Sequence, residues 1–163
     1  LLEGIQRVLQ DVQDKKFDFL MAGDGELFSY TSSWIKKQKM SNYVKLLGWV
    51  NNMAEFYNQI DVLILPSLSE GTPRSILESY FFEVPVIATD VGGVSEIVKQ
   101  GRTGFLIPTK DSECIAKYIK YFLQKPANVE QMSKVCKQYV LENHNVKDEV
   151  GKLERIYLSL INT

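Results

Sequence analysis

The stretch Leu65-Pro-Ser-Leu-Ser-Glu70-Gly-Thr-Pro-Arg-Ser-Ile-Leu-Glu78 joins a short apolar run to a helical pattern, and it organises the interpretation of the whole chain. The run at residues 61–66 has the length and β-branched content of a strand buried on both faces. Thr72 is a good N-cap, and Pro73 fits the first helical position, where its missing N–H costs nothing. A helix is therefore predicted to begin at Pro73, with unpaired amides at the carboxyl edge of the strand, where open parallel sheets bind ligands.

Two glutamates, Glu70 and Glu78, flank this predicted helix end. Taken alone, each has a plain structural interpretation, Glu70 as a solvated loop residue and Glu78 as part of an exposed helix face. However, Glu78 lies between Leu77 and the aromatic run at residues 80–82, in a helix too apolar to be mostly exposed. A carboxylate in that setting needs hydrogen-bond donors, so both glutamates are candidate functional residues.

Composition limits the class of protein. A length of 163 residues, 45% of them hydrophobic and 24% charged, is typical of one globular domain with a sizeable core. The formal net charge is −1 with both signs scattered, which argues against nucleic acid or an anionic membrane as the main partner. With no apolar run of membrane-spanning length and no signal peptide, we expect a cytoplasmic protein. Cys114 and Cys136 lack metal-ligand spacing and are expected to be reduced, packed thiols.

Hydrophobic periodicity predicts five strands alternating with helices, without a hairpin signal. The predicted strands are residues 17–22, 44–50, 61–66, 85–89 and 105–107. The predicted helices are residues 1–14, 26–39 with Leu27, Trp34 and Ile35 toward the core, 53–58 after a cap at Asn51-Asn52, one from Pro73, 94–100, one capped by Asp111 that runs to residue 124, 129–142 and 147–161. This order predicts an α/β fold with a doubly wound parallel, Rossmann-like sheet. The first strand of such a fold should precede the first helix, so we expect a central strand upstream of Leu1 and treat residues 1–163 as one domain truncated at its N-terminus.

Two glycine turns are candidates for binding phosphate. Gly23-Asp-Gly25 joins a strand to a helix, but position 28 is Phe28, where the dinucleotide fingerprint needs a small residue, so a structural turn is favoured. Gly92-Gly93 places bare backbone amides before a short helix and is the better candidate, with a plain turn as an equally open alternative.

These residues resemble the donor-binding half of retaining GT-B-fold glycosyltransferases, the group marked by two glutamates with seven residues between them. The resemblance rests on residues 69–108 and, in the family's order, on residues 19–25, 46–48, 61–66, 89–93 and 101–104. It implies that Glu78 accepts hydrogen bonds from the donor's ribose hydroxyls, and that Glu70, the catalytic candidate, contacts the transferred sugar. It further implies that the diphosphate and sugar meet the backbone of the stretch Gly71, Thr72, Pro73, Arg74 and Ser75, and that the base meets backbone near Gly48, Trp49 and Val50.

The same resemblance implies transfer of a hexosyl-type sugar, with retention, from a UDP-sugar or GDP-sugar to a glycan, lipid or small molecule, as in polysaccharide biosynthesis. Helix-end amides suit a leaving diphosphate, so no metal cofactor is expected. The family's acceptor domain and its basic diphosphate clamp have no counterpart here. We therefore expect this chain alone to be inactive, and any contact with the inner face of a membrane to come through the missing parts.

Two alternatives and two local expectations complete the interpretation. A non-catalytic nucleotide-binding or regulatory domain is the main alternative, and a glycoside hydrolase using Glu70 and Glu78 as acid and base is the weaker one.

The family's helix after the second glutamate usually ends in glycine, so here either Glu83 adopts an unusual backbone conformation or that helix exits differently. His144 is expected on the surface.

Overall fold

The computed structural model of the chain describes residues 1–13 and 16–161, apart from the side chains of residues 146–149. The strands are β1 (Phe19–Ala22), β2 (Val44–Gly48), β3 (Leu63–Leu65), β4 (Val86–Thr89) and β5 (Gly104–Ile107). The helices are α1 (Leu2–Asp11), α2 (Phe28–Lys37), α3 (Met53–Tyr57), α4 (Arg74–Phe81), α5 (Val94–Ile97), α6 (Ser112–Gln124), α7 (Pro126–Asn143) and α8 (Val146–Ile161). The predicted ends mostly lie within about three residues of these; the end predicted at residue 14 lies outside the described residues.

The strands form parallel pairs, as the sequence predicts. In one sheet β1 pairs with β2, and in the other β4 lies between β3 and β5. The described strands thus form two parallel sheets, one of two strands and one of three. A cavity of about 1520 Å³ lies between them, lined by residues 16–22 along β1 and residues 59–66 along β3, among others. The edges of two strands therefore border a common open space.

The strand β3 differs from its prediction because it borders this cavity. Its three residues are half-buried, whereas burial on both faces was predicted. Among the described strands it pairs with β4 alone, so its second edge is left toward the cavity. By contrast, β4 is paired on both sides and fully buried.

Leu27 is also placed differently from its prediction. The helix α2 begins at Phe28, so Leu27 precedes its first turn and is 71% exposed. Ile35 is buried and Trp34 packs against the core, as predicted. The core stripe of α2 is therefore formed by its second half, because its first turn lies beyond the packed face.

The end of α4 shows which of the two expectations for Glu83 is correct. Glu83 adopts a left-handed conformation with φ of 63°. The next amide, that of Val84, donates to the carbonyl of Ser79 at 2.8 Å, which satisfies an otherwise orphaned helix-end carbonyl. Glu83 also forms an ion pair with Lys137 of α7 at 2.9 Å. A non-glycine residue thus occupies a position at the helix end that usually takes glycine, and the ion pair of its side chain with Lys137 helps to hold it there.

Two observations concern the C-terminal helices. His144, between α7 and α8, is half-buried with its ring 5.6 Å from that of Tyr139, so the expected surface position is wrong. Packing of the His144 ring against Tyr139 of α7 buries part of it.

None of the helices in the described residues combines the length and apolarity that crossing a membrane would need.

Candidate functional site

The loop between β3 and α4 carries the first glutamate and ends differently from its prediction. Pro73 is the N-cap residue of α4, with an extended ψ of 107°, and Arg74 is the first helical residue. Thr72 therefore does not cap the helix, because the extended backbone at Pro73 keeps that residue outside it. Among the described residues no side chain caps this end. In the first turn of this eight-residue helix, the amide of Ile76 donates to the carbonyl of Pro73 at 3.1 Å, which leaves the amides of Arg74 and Ser75 for an external acceptor.

Glu70 is half-buried and tied to the end of β4. The hydroxyl of Ser67 donates to its Oε1 at 2.6 Å. The hydroxyl of Thr89, a residue only 2% exposed, in turn donates to the carbonyl oxygen of Ser67 at 2.5 Å. One carboxylate oxygen of Glu70 is therefore fixed through two hydroxyls to the central strand.

The turn after β4 packs directly against the backbone of the glutamate loop. The amide of Gly93 donates to the carbonyl of Gly71 at 3.0 Å. A Cβ added at Gly92 would lie 1.8 Å from the carbonyl oxygen of Glu70, and one added at Gly93 would lie 2.6 Å from that of Gly71. Gly92 also has a φ of 51°. The two glycines thus support the loop, and because the Gly93 amide is already bonded, the plain-turn interpretation is the better one.

Glu78 lies half-buried in α4, and a neighbouring helix supplies the donor that its position requires. The hydroxyl of Tyr57, at the end of α3, donates to Glu78 Oε2 at 3.2 Å and also lies 3.2 Å from the carbonyl oxygen of Ser75. Burial, and then the charge of Glu78, raise the pKa of Tyr57 far above its ordinary value. The tyrosine therefore remains a neutral donor at any physiological pH.

Sequence reasoning missed Tyr57. The apolar surroundings of Glu78 showed that a donor was needed, but not from which element it would come. The available signal was the position of Tyr57 on a short capped helix that follows the neighbouring predicted strand. Asn52 caps that helix as predicted, its side chain accepting from the amide of Glu55 at 3.2 Å.

The predicted base-binding residues lie at the carboxyl end of β2. Gly48 has a φ of 65°, and its carbonyl accepts from the amide of Gly23 at 2.7 Å. Trp49 is 68% exposed, and its indole N–H donates to Asn51 at 2.8 Å. In the described part of the chain, no hydrogen bond joins Gly48, Trp49 or Val50 directly to either glutamate. The segment at residues 48–50 is connected to Glu78 through α3, which begins after the cap at Asn52 and ends at Tyr57, the residue that donates to Glu78.

The remaining predicted site residues lie in the loop between β3 and α4 and in the first turn of α4, and they differ in exposure. Gly71, Thr72 and Arg74 are exposed, Ser75 is half-buried and Pro73 is buried. Glu70 and Glu78 are held by different partners, Glu70 from β4 and Glu78 from α3. The arrangement is thus an exposed, uncapped helix end between two anchored carboxylates. It can accept hydrogen bonds from hydroxyl groups on either side of an anion.

Comparisons with known proteins identify the family of the chain. The family model described as glycosyl transferases group 1 matches residues 1–140. The chain is 31% identical over 149 residues to the UDP-Gal:alpha-D-GlcNAc-diphosphoundecaprenol alpha-1,3-galactosyltransferase of Escherichia coli, covering 88% of this chain and 37% of that protein. It is 26% identical over 161 residues to the N-acetyl-alpha-D-glucosaminyl L-malate synthase of Bacillus anthracis, covering 99% of this chain and 42% of that protein.

Solved structures show the same fold. A glycosyltransferase of Rickettsia africae matches with a TM-score of 0.86 at 23% identity, covering 99% of this chain and 43% of that one. Anabaena Alr3699/HepE, in complex with UDP-glucose, matches with a TM-score of 0.82 at 21% identity, covering 98% of this chain and 44% of that one. The predicted α/β fold, one half of a GT-B glycosyltransferase, is confirmed. The chain spans about two fifths of the length of these relatives.

Proposed function

The chain belongs to the glycosyl transferases group 1 family, and from this premise we propose that it is the donor-binding domain of an enzyme that moves a hexosyl-type sugar from a nucleoside diphosphate to an acceptor with retention. The observation that supports the proposal best is the uncapped N-terminus of α4 between the anchored Glu70 and Glu78. A sugar nucleotide has a matching order of groups, with ribose hydroxyls, a diphosphate and sugar hydroxyls in sequence.

Glu78 is assigned to the ribose. A carboxylate can accept from two vicinal hydroxyls at once, and each charge-assisted hydrogen bond is worth roughly 1.5–3 kcal/mol. The bond from Tyr57 uses part of the acceptor capacity of Oε2 and none of that of Oε1. An ionised carboxylate has about four acceptor positions in general, so enough remain for both ribose hydroxyls.

The diphosphate is assigned to the loop and first turn of α4, from Gly71 to Ser75. Amides at a helix N-terminus stabilise negative charge, and that charge grows on the diphosphate as the glycosidic bond breaks. The exposed Arg74 in the first turn is a further source of positive charge. Glu70, at the β4 side of the loop, then faces the transferred sugar, and the backbone at Gly48, Trp49 and Val50 faces the base. No metal ion is needed in this scheme.

The acceptor and the cellular setting are inferred from the relatives. The Escherichia coli relative is named for a UDP-galactose donor and a diphosphoundecaprenol-linked acceptor. We therefore favour UDP-sugars over GDP-sugars, and a lipid-linked glycan over a small molecule, at the cytoplasmic face of a membrane. Because the chain spans about two fifths of such relatives, acceptor contacts would come from a further domain of the protein.

A thermal-shift panel of UDP, GDP, ADP and their sugar conjugates tests the donor assignment. A ligand that binds only the folded protein at 100 times its Kd raises stability by about 2.7 kcal/mol. We expect one diphosphate to raise the melting temperature, and its sugar conjugate to raise it more at equal concentration. The Glu78→Ala variant should lose most of both shifts. Absence of any shift in the unmodified protein would refute the proposal.

The same panel separates the main alternative. A regulatory nucleotide-binding domain would respond to the diphosphate without preferring the sugar conjugate. Incubation of the whole protein with the preferred donor and a lipid-linked acceptor should release free nucleoside diphosphate. Binding without that release would favour the regulatory function.

A further inference from the structure

Tyr57 occupies a fixed position beside Glu78. Its side chain is 1% exposed, and its ring stacks on that of Phe82 at a centroid distance of 5.6 Å and an angle of 18°. The ring of Phe56 contacts it edge-on at 5.7 Å. These two aromatic contacts hold the tyrosine ring in place from both α3 and the end of α4, so the direction of its hydroxyl is determined by packing.

The hydroxyl of Tyr57 acts on α4 at two points one turn apart. It lies 3.2 Å from the carbonyl of Ser75, in the first turn, and 3.2 Å from Oε2 of Glu78. A glutamate side chain on a helix samples several rotamers, and ordering it costs conformational entropy. A hydrogen bond from a rigid donor selects one of these rotamers before any ligand arrives, which lowers the cost of binding.

We propose that Tyr57 is a positioning residue for donor recognition: its hydroxyl holds the Glu78 carboxylate in the rotamer that receives the two vicinal hydroxyls of the ribose. The inference rests on the proposed function, since it assumes that Glu78 binds ribose. Tyr57 is almost fully buried and its hydroxyl contacts the carboxylate, so its effect on the nucleotide would pass through Glu78.

The same contact connects two parts of the donor site. The helix α3 follows the segment at Gly48, Trp49 and Val50 and begins at the cap formed by Asn52. It ends at Tyr57, five residues after the cap. The base-binding segment and the ribose carboxylate are therefore joined by one rigid turn of helix, and the distance between base and ribose contacts is set by α3.

Discrimination between ribose and 2′-deoxyribose is the readout that isolates this role. In the unmodified protein, a 2′-deoxynucleoside diphosphate should bind about 30-fold more weakly than the ribonucleotide, the cost of one charge-assisted hydrogen bond. In Tyr57→Phe the ribonucleotide should bind about tenfold more weakly than in the unmodified protein, whereas the deoxynucleotide changes by less than about threefold. The ratio of the two affinities should therefore fall.

Tyr80→Phe is the matched control. Tyr80 lies in α4, the helix that carries Glu78, and is fully buried. Its hydroxyl donates a hydrogen bond to the hydroxyl of Thr103 at 2.7 Å and not to Glu78. Both variants lose one buried hydroxyl and keep the aromatic ring, so their melting temperatures should fall by similar amounts. Tyr80→Phe should keep the ribose-to-deoxyribose ratio of the unmodified protein. Equal ratios in both variants would overturn the inference, because the tyrosine hydroxyl would then be merely structural.

The double variant Tyr57→Phe, Glu78→Ala completes the experiment. If Tyr57 acts through Glu78, its replacement should cause no further loss of affinity once Glu78 is absent. A further loss would overturn the inference. Failure of the proposed function is distinguishable, since Glu78→Ala alone would then leave nucleotide affinity unchanged. If Glu78→Ala weakens binding and Tyr57→Phe does not, the positioning role alone is wrong.

Discussion

Replacement of Gly92 by alanine would test whether the turn after β4 determines the position of Glu70. In the structure this glycine lies against the loop so closely that an added Cβ would stand 1.8 Å from the Glu70 carbonyl oxygen. That is far inside van der Waals contact, and the obstructing atom is backbone that cannot rotate away. The loop or the turn must therefore shift in the variant.

Two costs add at this position. An alanine at a φ of 51° loses about 1–2 kcal/mol from its left-handed conformation. Relief of the contact with Glu70 adds about 1–3 kcal/mol, as in other overpacked sites. Gly101 supplies the matched control, because its φ is 71° but an added Cβ would meet no atom within 4 Å. Gly101→Ala should therefore carry the first cost alone.

Urea unfolding and donor titration together check this reasoning. The free energy of unfolding of Gly92→Ala should lie below that of Gly101→Ala by about 1–3 kcal/mol. Gly92→Ala should also lose part of its preference for a sugar nucleotide over the bare diphosphate, because Glu70 moves, whereas Gly101→Ala keeps it. Equal stabilities and equal donor preferences in the two variants would refute the argument that this turn positions Glu70.

Four further outcomes are expected. Glu78→Ala should weaken nucleotide binding by roughly 2–4 kcal/mol in a calorimetric titration while the fold persists, as two charge-assisted bonds are lost. Glu70→Ala should reduce the preference for sugar nucleotide over diphosphate and barely change diphosphate affinity; equal loss of both would contradict its assignment to the sugar. A longer form carrying a strand upstream of Leu1 should melt at a higher temperature than residues 1–163, since the strand would fill the cavity between β1 and β3. It should also bind diphosphate more tightly, by supplying the basic diphosphate clamp of the family; equal affinity would show that this clamp is not missing. A thiol reagent should modify the half-buried Cys114 of the native protein and spare the buried Cys136. Because burial raises the pKa of the Cys136 thiol to about 12 while the unfolded thiol ionises near 9, the free energy of unfolding should fall as the pH rises from 9 to about 12.

The order of elements was predictable from the sequence because it depends on local signals. Short apolar runs and period-3.6 patterns identified the strands and helices of the described residues, and local caps were placed correctly at Asn52 and Asp111, whose side chains accept from amides three residues on. The alternative conformations offered for Glu83 included the observed one. These features depend on residues near one another in the chain, where propensity and capping act.

What the sequence did not predict depends on tertiary placement. Thr72 has the composition of a cap, but the extended backbone at Pro73 moves the helix start past it. Leu27 has helical spacing, yet it precedes the first turn of α2, whose residues 28–30 are exposed. Tyr57 reaches Glu78 across 21 residues of chain. No local pattern encodes that contact, although the need for a donor was evident from the apolar neighbours of Glu78.

The two glutamates are anchored by separate parts of the fold, and this bears on how such domains diversify. Glu70 depends on Ser67, Thr89 and the turn after β4, whereas Glu78 depends on Tyr57 and α3. On the proposed assignment, substitutions of side chains next to Glu70 can retune the choice of sugar without disturbing recognition of the nucleotide, and the reverse holds for those next to Glu78. Under that assignment, the two carboxylates are two parts of the donor site that selection can change separately. A library that seeks a new sugar specificity should vary the side chains that precede Glu70 in its loop while leaving α3, residues 71–75, Gly92 and Gly93 unchanged.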